Sequence, residues 1–372
     1  MPEIDLNSLS MQVLGAAFGL SALLGAITQR THFCTMGAVA DIVNMGDWTR
    51  MRMWVMAMGV AMIGFNLMVG LGWLDASNSL YGGPKFIWLS ALTGGVMFGF
   101  GMVMASGCGS KTLVRIGGGN LKSLVVFIVM GIAAFATLKG ITAVARVATT
   151  DSIAIALNTG QDLPSVLAAT VVGLSKRYVA AALGLSLGGV LIAWSLARRE
   201  GRSFDSLLAG FGIGLIVTGV WWVSGRQGYV SEDPNTLQEA FIATNSKRME
   251  SLSFVAPVAY TLDWLMFFSD KSKALTIGIV SVCGVVVGSA VWSVATHSFR
   301  WEGFRDAQDT GNHLIGAVLM GVGGVTALGC TVGQGLSGLS TLSLTSFVAV
   351  AAIIAGAVAA LHFQIWRIER AP

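Results

Sequence analysis

Four cysteines are the residues with the plainest chemical potential, and three of them keep unusual company. Cys108 lies in "ASGCGSKT", between Gly107 and Gly109 and three residues ahead of Lys111. Cys330 lies in "ALGCTVGQG", behind Gly329 and ahead of Gly333 and Gly335. Cys34 lies in "QRTHFCTMG", preceded by Arg30 and His32. A thiol can serve as a nucleophile, a metal ligand or a soft, weak hydrogen-bond donor. These cysteines are too far apart for a zinc finger or a Cys-x-x-Cys redox pair. The turn before Lys111 invites a phosphate-cradle reading, but that motif needs glycine directly before the lysine and a strand upstream. Here Ser110 precedes Lys111 and the flank is an apolar run. His32 and Cys34 are too few donors for a metal, and the methionines of "MGDWTRMRMWVMAMGVAM" read as packing rather than copper ligands. Neither a metal nor a cofactor is expected. Cys283, inside "IGIVSVCGVVVGSA", reads as a small packed hydrophobe.

The elements that position the thiols follow from composition. Of 372 residues, 54% are hydrophobic and 11% charged, against about 25% charged in a soluble domain. Such a chain cannot cover itself with charge and must face lipid. An all-α, polytopic membrane protein is the expected class, forming a single membrane domain over residues 1–372. Glycine is frequent at 48 residues, as suits close-packed membrane helices. The first apolar run follows an acidic start with no basic n-region, so it reads as a retained span. The net charge of +4 resides in short loops, which points to topology control and away from nucleic acid.

About nine spans are long enough to cross hydrocarbon, near 11–29, 51–73, 87–107, 121–142, 178–197, 206–224, 274–294, 313–329 and 343–362. Two apolar pieces, 33–45 and 251–268, are short or broken and read as re-entrant half-helices. Nine spans put Arg30, Arg50, Arg52, Lys111, Arg115, Lys122, Arg198, Arg199, Arg202, Arg300, Arg305, Arg367 and Arg370 on one side. The positive-inside rule makes that side cytoplasmic, with the N-terminus outside and the C-terminus inside. Lys176, Arg177, Lys247, Arg248, Lys271 and Lys273 fall on the other side, so the bias is moderate.

The order span, short piece, span, span ending in Gly-Cys, span occurs in 11–142 and again in 206–362. The linking span at 178–197 inverts the second copy. Inverted repeats place a substrate site near the midplane, where broken helices of the two halves meet. A break exposes backbone N–H groups at the start of the next helix and makes a small anion site. Glycines there let the backbone approach a ligand closely.

Three segments, "QRTHFCTMGAVAD" at 29–41, "FGFGMVMASGCGSKTLVRIGGG" at 98–119 and "GVGGVTALGCTVGQGLSG" at 321–338, carry a resemblance. They are similar to the YeeE/YedE family of bacterial inner-membrane sulphur-compound transporters, whose characterised members take up thiosulfate. The resemblance implies an inverted-repeat helical bundle with waists on both faces and a path lined by Cys34, Cys108 and Cys330. Lys111 stands where the family often has glycine, and His32 where many members have arginine, which leaves the exact anion open among sulphur and selenium species. The expected function is uptake of thiosulfate or a related anion, not an enzymatic reaction. Arg30, His32, Gly107, Gly109, Lys111, Arg115, Gly329, Gly333 and Gly335 support the path. A TusA-like sulphur carrier is a candidate cytoplasmic partner. Alternatives are a thiol or sulfurtransferase enzyme using the same cysteines, and a selenium-compound or metal transporter.

The nine-span reading has a direct test. A reporter fused after Arg370 should be cytoplasmic and one inserted in the 74–86 loop external; both on the same side would overturn it.

Overall fold

The computed structural model describes residues 5–170, 175–233, 237–270 and 272–370, so Lys271 lies outside the described residues. The long apolar helices are α1 (Leu6–Thr31), α3 (Thr49–Gly70), α4 (Trp88–Met104), α6 (Leu121–Lys139), α9 (Lys176–Leu196), α10 (Phe204–Trp222), α12 (Ile277–Ala295) and α14 (Leu344–Glu369). Each belongs to one of the eight stretches, among the described residues, long and apolar enough to cross a membrane. The ninth expected span corresponds to α13 (Ala307–Thr326), whose first two turns carry Asp309, Asn312 and His313. Those polar turns keep it out of the eight.

Between the long helices lie shorter ones: α2 (Thr35–Met45), α5 (Gly109–Gly117), α7 (Ile141–Ala148), α8 (Leu163–Thr170) and α11 (Ala256–Met266). The two pieces read as half-helices are α2 and α11, each of 11 residues. At 1.5 Å per residue that is about 16 Å, roughly half the hydrocarbon thickness. Two small antiparallel strand pairs, Lys85–Phe86 with Ile155–Ala156 and Tyr229–Val230 with Ala240–Phe241, tie connecting loops together.

The helix contacts are reciprocal. α1 packs on α12 as α10 packs on α3, and α4 packs on α14 as α13 packs on α6. The half-helices obey the same exchange, α2 lying against α14 and α11 against α6. α4 and α13 meet each other along the centre. Without water between helices to expel, van der Waals packing must hold such seams, and small residues let the backbones close up. A methyl group added at Gly101 would lie 2.7 Å from the Gly316 carbonyl oxygen, and one at Gly316 2.6 Å from that of Gly101. One at Gly288 on α12 would lie 1.8 Å from the Ala22 carbonyl oxygen of α1, whereas Gly15 has nothing within 4 Å.

Gly288→Ala should therefore cost about 1–3 kcal/mol by overpacking and lower the melting temperature in detergent. Gly15→Ala should be neutral or stabilise by about 0.5–1 kcal/mol through reduced backbone entropy. Equal melting temperatures for the two variants would contradict the seam.

Candidate functional site

Each of the three segments carrying the resemblance interrupts a helix in the same way. α1 ends and His32 turns left-handed at φ 53°, then Phe33 leads to Cys34, the N-cap of α2. α4 ends and Ser106 turns left-handed at φ 55°, then Gly107 leads to Cys108, the N-cap of α5. α13 ends, Leu328 turns left-handed at φ 56° and Gly329 follows at φ 159°, and Cys330 opens the helical segment 331–340. In all three cases the left-handed residue lies two positions before the cysteine. A left-handed conformation costs a non-glycine residue about 1–2 kcal/mol, so each break is enforced by its surroundings.

The second and third breaks share their hydrogen bonds. The Ser106 and Gly107 N–H groups donate to the Val103 and Met102 carbonyls at 3.1 and 2.8 Å. Leu328 and Gly329 donate to Val325 and Gly324 at the same 3.1 and 2.8 Å. This double bond pattern satisfies carbonyls that the ended helix would otherwise leave bare in a dry interior. The next helix then starts with a thiol. The Gly37 N–H donates to Cys34 Sγ at 3.3 Å, and the Gly333 N–H to Cys330 Sγ at 3.4 Å. A cysteine that accepts in this way keeps its S–H free to donate elsewhere. Cys108 Sγ lies 3.3 Å from Ser110 Oγ instead.

The thiols are neighbours. Cys34 faces Cys108, the Thr331 side chain approaches Cys108, and the Phe254 N–H points at Cys330. All three cysteines are buried, at 8% exposure for Cys34, 1% for Cys108 and 0% for Cys330, so access falls off along the row. Cys283 is exposed on the outside of the bundle, away from them.

A cavity approaches the row from each side. The vestibule on the side expected to be cytoplasmic, called inner here, is ≈ 420 Å³ and is lined by His32 and Cys34 together with Arg50, Lys111, Arg115 and Arg300. Arg50 is paired with Asp41 at 3.2 Å, and Arg115 donates to the Ser106 carbonyl at 2.7 Å. Lys111, Arg115 and Arg300 have no carboxylate partner among the described residues. The opposite vestibule, called outer on the same expectation, is ≈ 150 Å³ and reaches Gly329 past Ser253, Tyr260 and Glu250. Cations crowded on one side, with thiols and helix N-termini between the two cavities, suit an anion. Among the described residues no three of His, Cys, Asp and Glu come together as a metal set.

The glycines fit by close approach. A methyl group at Gly109 would lie 2.7 Å from the Phe254 carbonyl oxygen, one at Gly333 2.6 Å from Ser253 Oγ, and one at Gly335 2.5 Å from the Trp54 ring. Arg30 is placed elsewhere. It pairs with Asp205 at 3.2 Å and lies over the Phe204 and Trp292 rings, where it ties α1 to α10 and α12. Sequence reasoning took Arg50 and Arg300 for loop anchors and missed their place in the vestibule. It also missed Trp54, Thr331 and Gln334, whose Nε1, Oγ1 and Oε1 atoms are buried without a hydrogen-bond partner among the described residues. Only the Gly-Cys-Thr-x-Gly-Gln spacing could have pointed to the last two.

A model of the family described as "Sulphur transport" matches residues 30–359. The chain belongs to that family. Two of its relatives carry the name thiosulfate transporter TsuA. The Escherichia coli protein is 26% identical over 351 residues, covering 90% of both chains. The Spirochaeta thermophila protein is 25% identical over 368 residues, covering 90% of this chain and 94% of its own. The matched range contains all three cysteine breaks.

The burial gradient predicts an order of reaction. In a Cys283→Ala background, a small thiol reagent should modify Cys34 well before Cys108 and Cys330, as followed by mass spectrometry. Cys330 reacting first would reverse the order.

Proposed function

We propose that the chain imports thiosulfate or a related sulphur-containing anion through the bacterial inner membrane, along the row Cys330, Cys108, Cys34. The N-terminus is periplasmic and the C-terminus cytoplasmic in this reading. Residues 11–142 and 206–362 form inverted repeats joined by the span at 178–197, a scheme that the reciprocal helix contacts support. The observation that carries the reading is that three neighbouring thiols each open a helix between two vestibules. The names of the relatives agree with it.

The physics of the passage is a balance. A dianion stripped of water faces a large penalty in an apolar medium unless charge or hydrogen bonds replace its hydration. Neutral thiols offer weak, soft contacts to the terminal sulphur, while helix N-termini supply partial positive charge to the oxygens. Contacts must be firm enough to admit the ion and weak enough to release it. Thiolates would repel it. At the inner end Lys111, Arg115 and Arg300 draw the ion toward the cytoplasm, where a TusA-like sulphur carrier could receive it.

Uptake into proteoliposomes tests the scheme. Alanine at Cys34, Cys108 or Cys330 should cut thiosulfate uptake at least tenfold with folding intact, serine should restore part of it, and Cys283→Ala should be silent. Arg115→Ala should slow uptake, and Lys111→Ala should shift the preference among thiosulfate, sulfate and selenite. Full tolerance of alanine at all three cysteines would sink the relay. A cysteine persulfide formed during turnover would favour sulfurtransferase chemistry instead.

A further inference from the structure

The outer vestibule holds a group that the passage of an anion does not account for. Among the described residues lining it, Glu250 is the one carboxylate and Arg146 the one cation. Glu250 sits on the loop before α11, half-buried. Its Oε1 accepts from the Asn245 N–H at 3.3 Å and its Oε2 from the Ser246 hydroxyl at 3.0 Å. No cation pairs with it among the described residues. Arg146, on α7, is committed to Asp151 at 3.3 Å, and Lys247 and Arg248 on Glu250's own loop are exposed.

Apart from Arg146, which is paired with Asp151, the groups facing Glu250 from other elements are neutral. Tyr81 approaches from the 74–86 loop and Tyr260 from α11. Asp263, further along α11, is paired with Lys273 at 2.6 Å. Burial pushes the Glu250 carboxyl up to about 7, against the Asn245 and Ser246 donors that favour its ionised form. An ionised carboxylate here would stand in the mouth through which a dianion must enter, and like charges at such range disfavour each other.

We propose that Glu250 is the proton-binding group of the outer vestibule, so that each dianion enters the path together with one proton. The inference rests on the import reading above. Its sign follows from linkage. Below pH 7 Glu250 is already neutral and the anion meets only Arg146. Above pH 7 it is ionised, the arriving dianion raises its proton affinity further, and a proton is taken up on binding. Affinity for the anion then falls by up to about tenfold per pH unit above that point.

The test uses the full chain with thiosulfate, which stays a dianion throughout this range. Calorimetry in two buffers of different ionisation heat counts protons taken up on binding at pH 6 and pH 8, and proteoliposome uptake is measured at the same external pH values. The wild type should take up close to one proton per thiosulfate at pH 8 and almost none at pH 6, with half-saturation rising several-fold between them. Glu250→Gln should take up none and show a flat profile. Glu250→Asp, which keeps a carboxylate, should retain proton uptake. The loop should survive both changes, because Ser224 Oγ holds the Glu250 backbone, donating to its carbonyl at 2.6 Å and accepting from its N–H at 3.2 Å. A Glu250→Gln protein with the wild-type proton count overturns the proposal, as does a wild type whose uptake ignores pH. A wild type with no thiosulfate uptake at either pH overturns the import reading and the proposal with it.

Discussion

A helix that stops inside hydrocarbon must find partners for the backbone groups it frees, and every other feature of the site depends on how this chain does so. The outgoing helix closes on itself through a left-handed residue, and the incoming one starts on a cysteine. The first half of the arrangement removes bare carbonyls. The second leaves several N–H groups pointing into the gap, with one of them spent on sulphur at Cys34 and Cys330. Serine would cap such ends more strongly, but it would also hold an anion's water or its oxygens harder. Sulphur is the weaker cap and the softer contact.

The charges around the row are unequal. The inner vestibule gathers Arg50, Lys111, Arg115 and Arg300, with Arg50 alone of the four neutralised by an acid among the described residues. The outer one has Arg146, already paired, and Glu250. For an anion the resulting field favours the vestibule of Lys111, Arg115 and Arg300 over that of Glu250. Lys111 contributes an ammonium that lines the cavity with no carboxylate partner among the described residues.

Much of this was legible in the sequence. Length and apolar composition located the long helices, and the brevity of 33–45 and 251–268 marked two short helices, α2 and α11. Cys108 and Cys330 announced themselves by repetition beside glycines. The left-handed turns did not, because His32, Ser106 and Leu328 share no side-chain chemistry and what unites them is backbone conformation. Arg30 and Arg50 looked alike as basic residues at helix ends. Which one would face a cavity was decided by the direction of its helix surface, and Arg30 turned to Asp205 and the rings of Phe204 and Trp292. Glu250 gave no signal, for its chain neighbours are ordinary loop residues and its isolation arises only when α7 and α11 close over it.

The seam between α4 and α13 has a mechanical consequence. Gly94 faces Gly323 and Gly101 faces Gly316, so main chain rests on main chain with no side chain between to change rotamer and act as a bearing. Both helices end in cysteine breaks, which places Cys108 and Cys330 on one stiff beam. Tilting one half of the molecule against the other would have to pull this beam apart, and a close-packed interface is bistable rather than compliant. The spacing of Cys108 and Cys330 is thereby set by main-chain contact between the two helices that precede them.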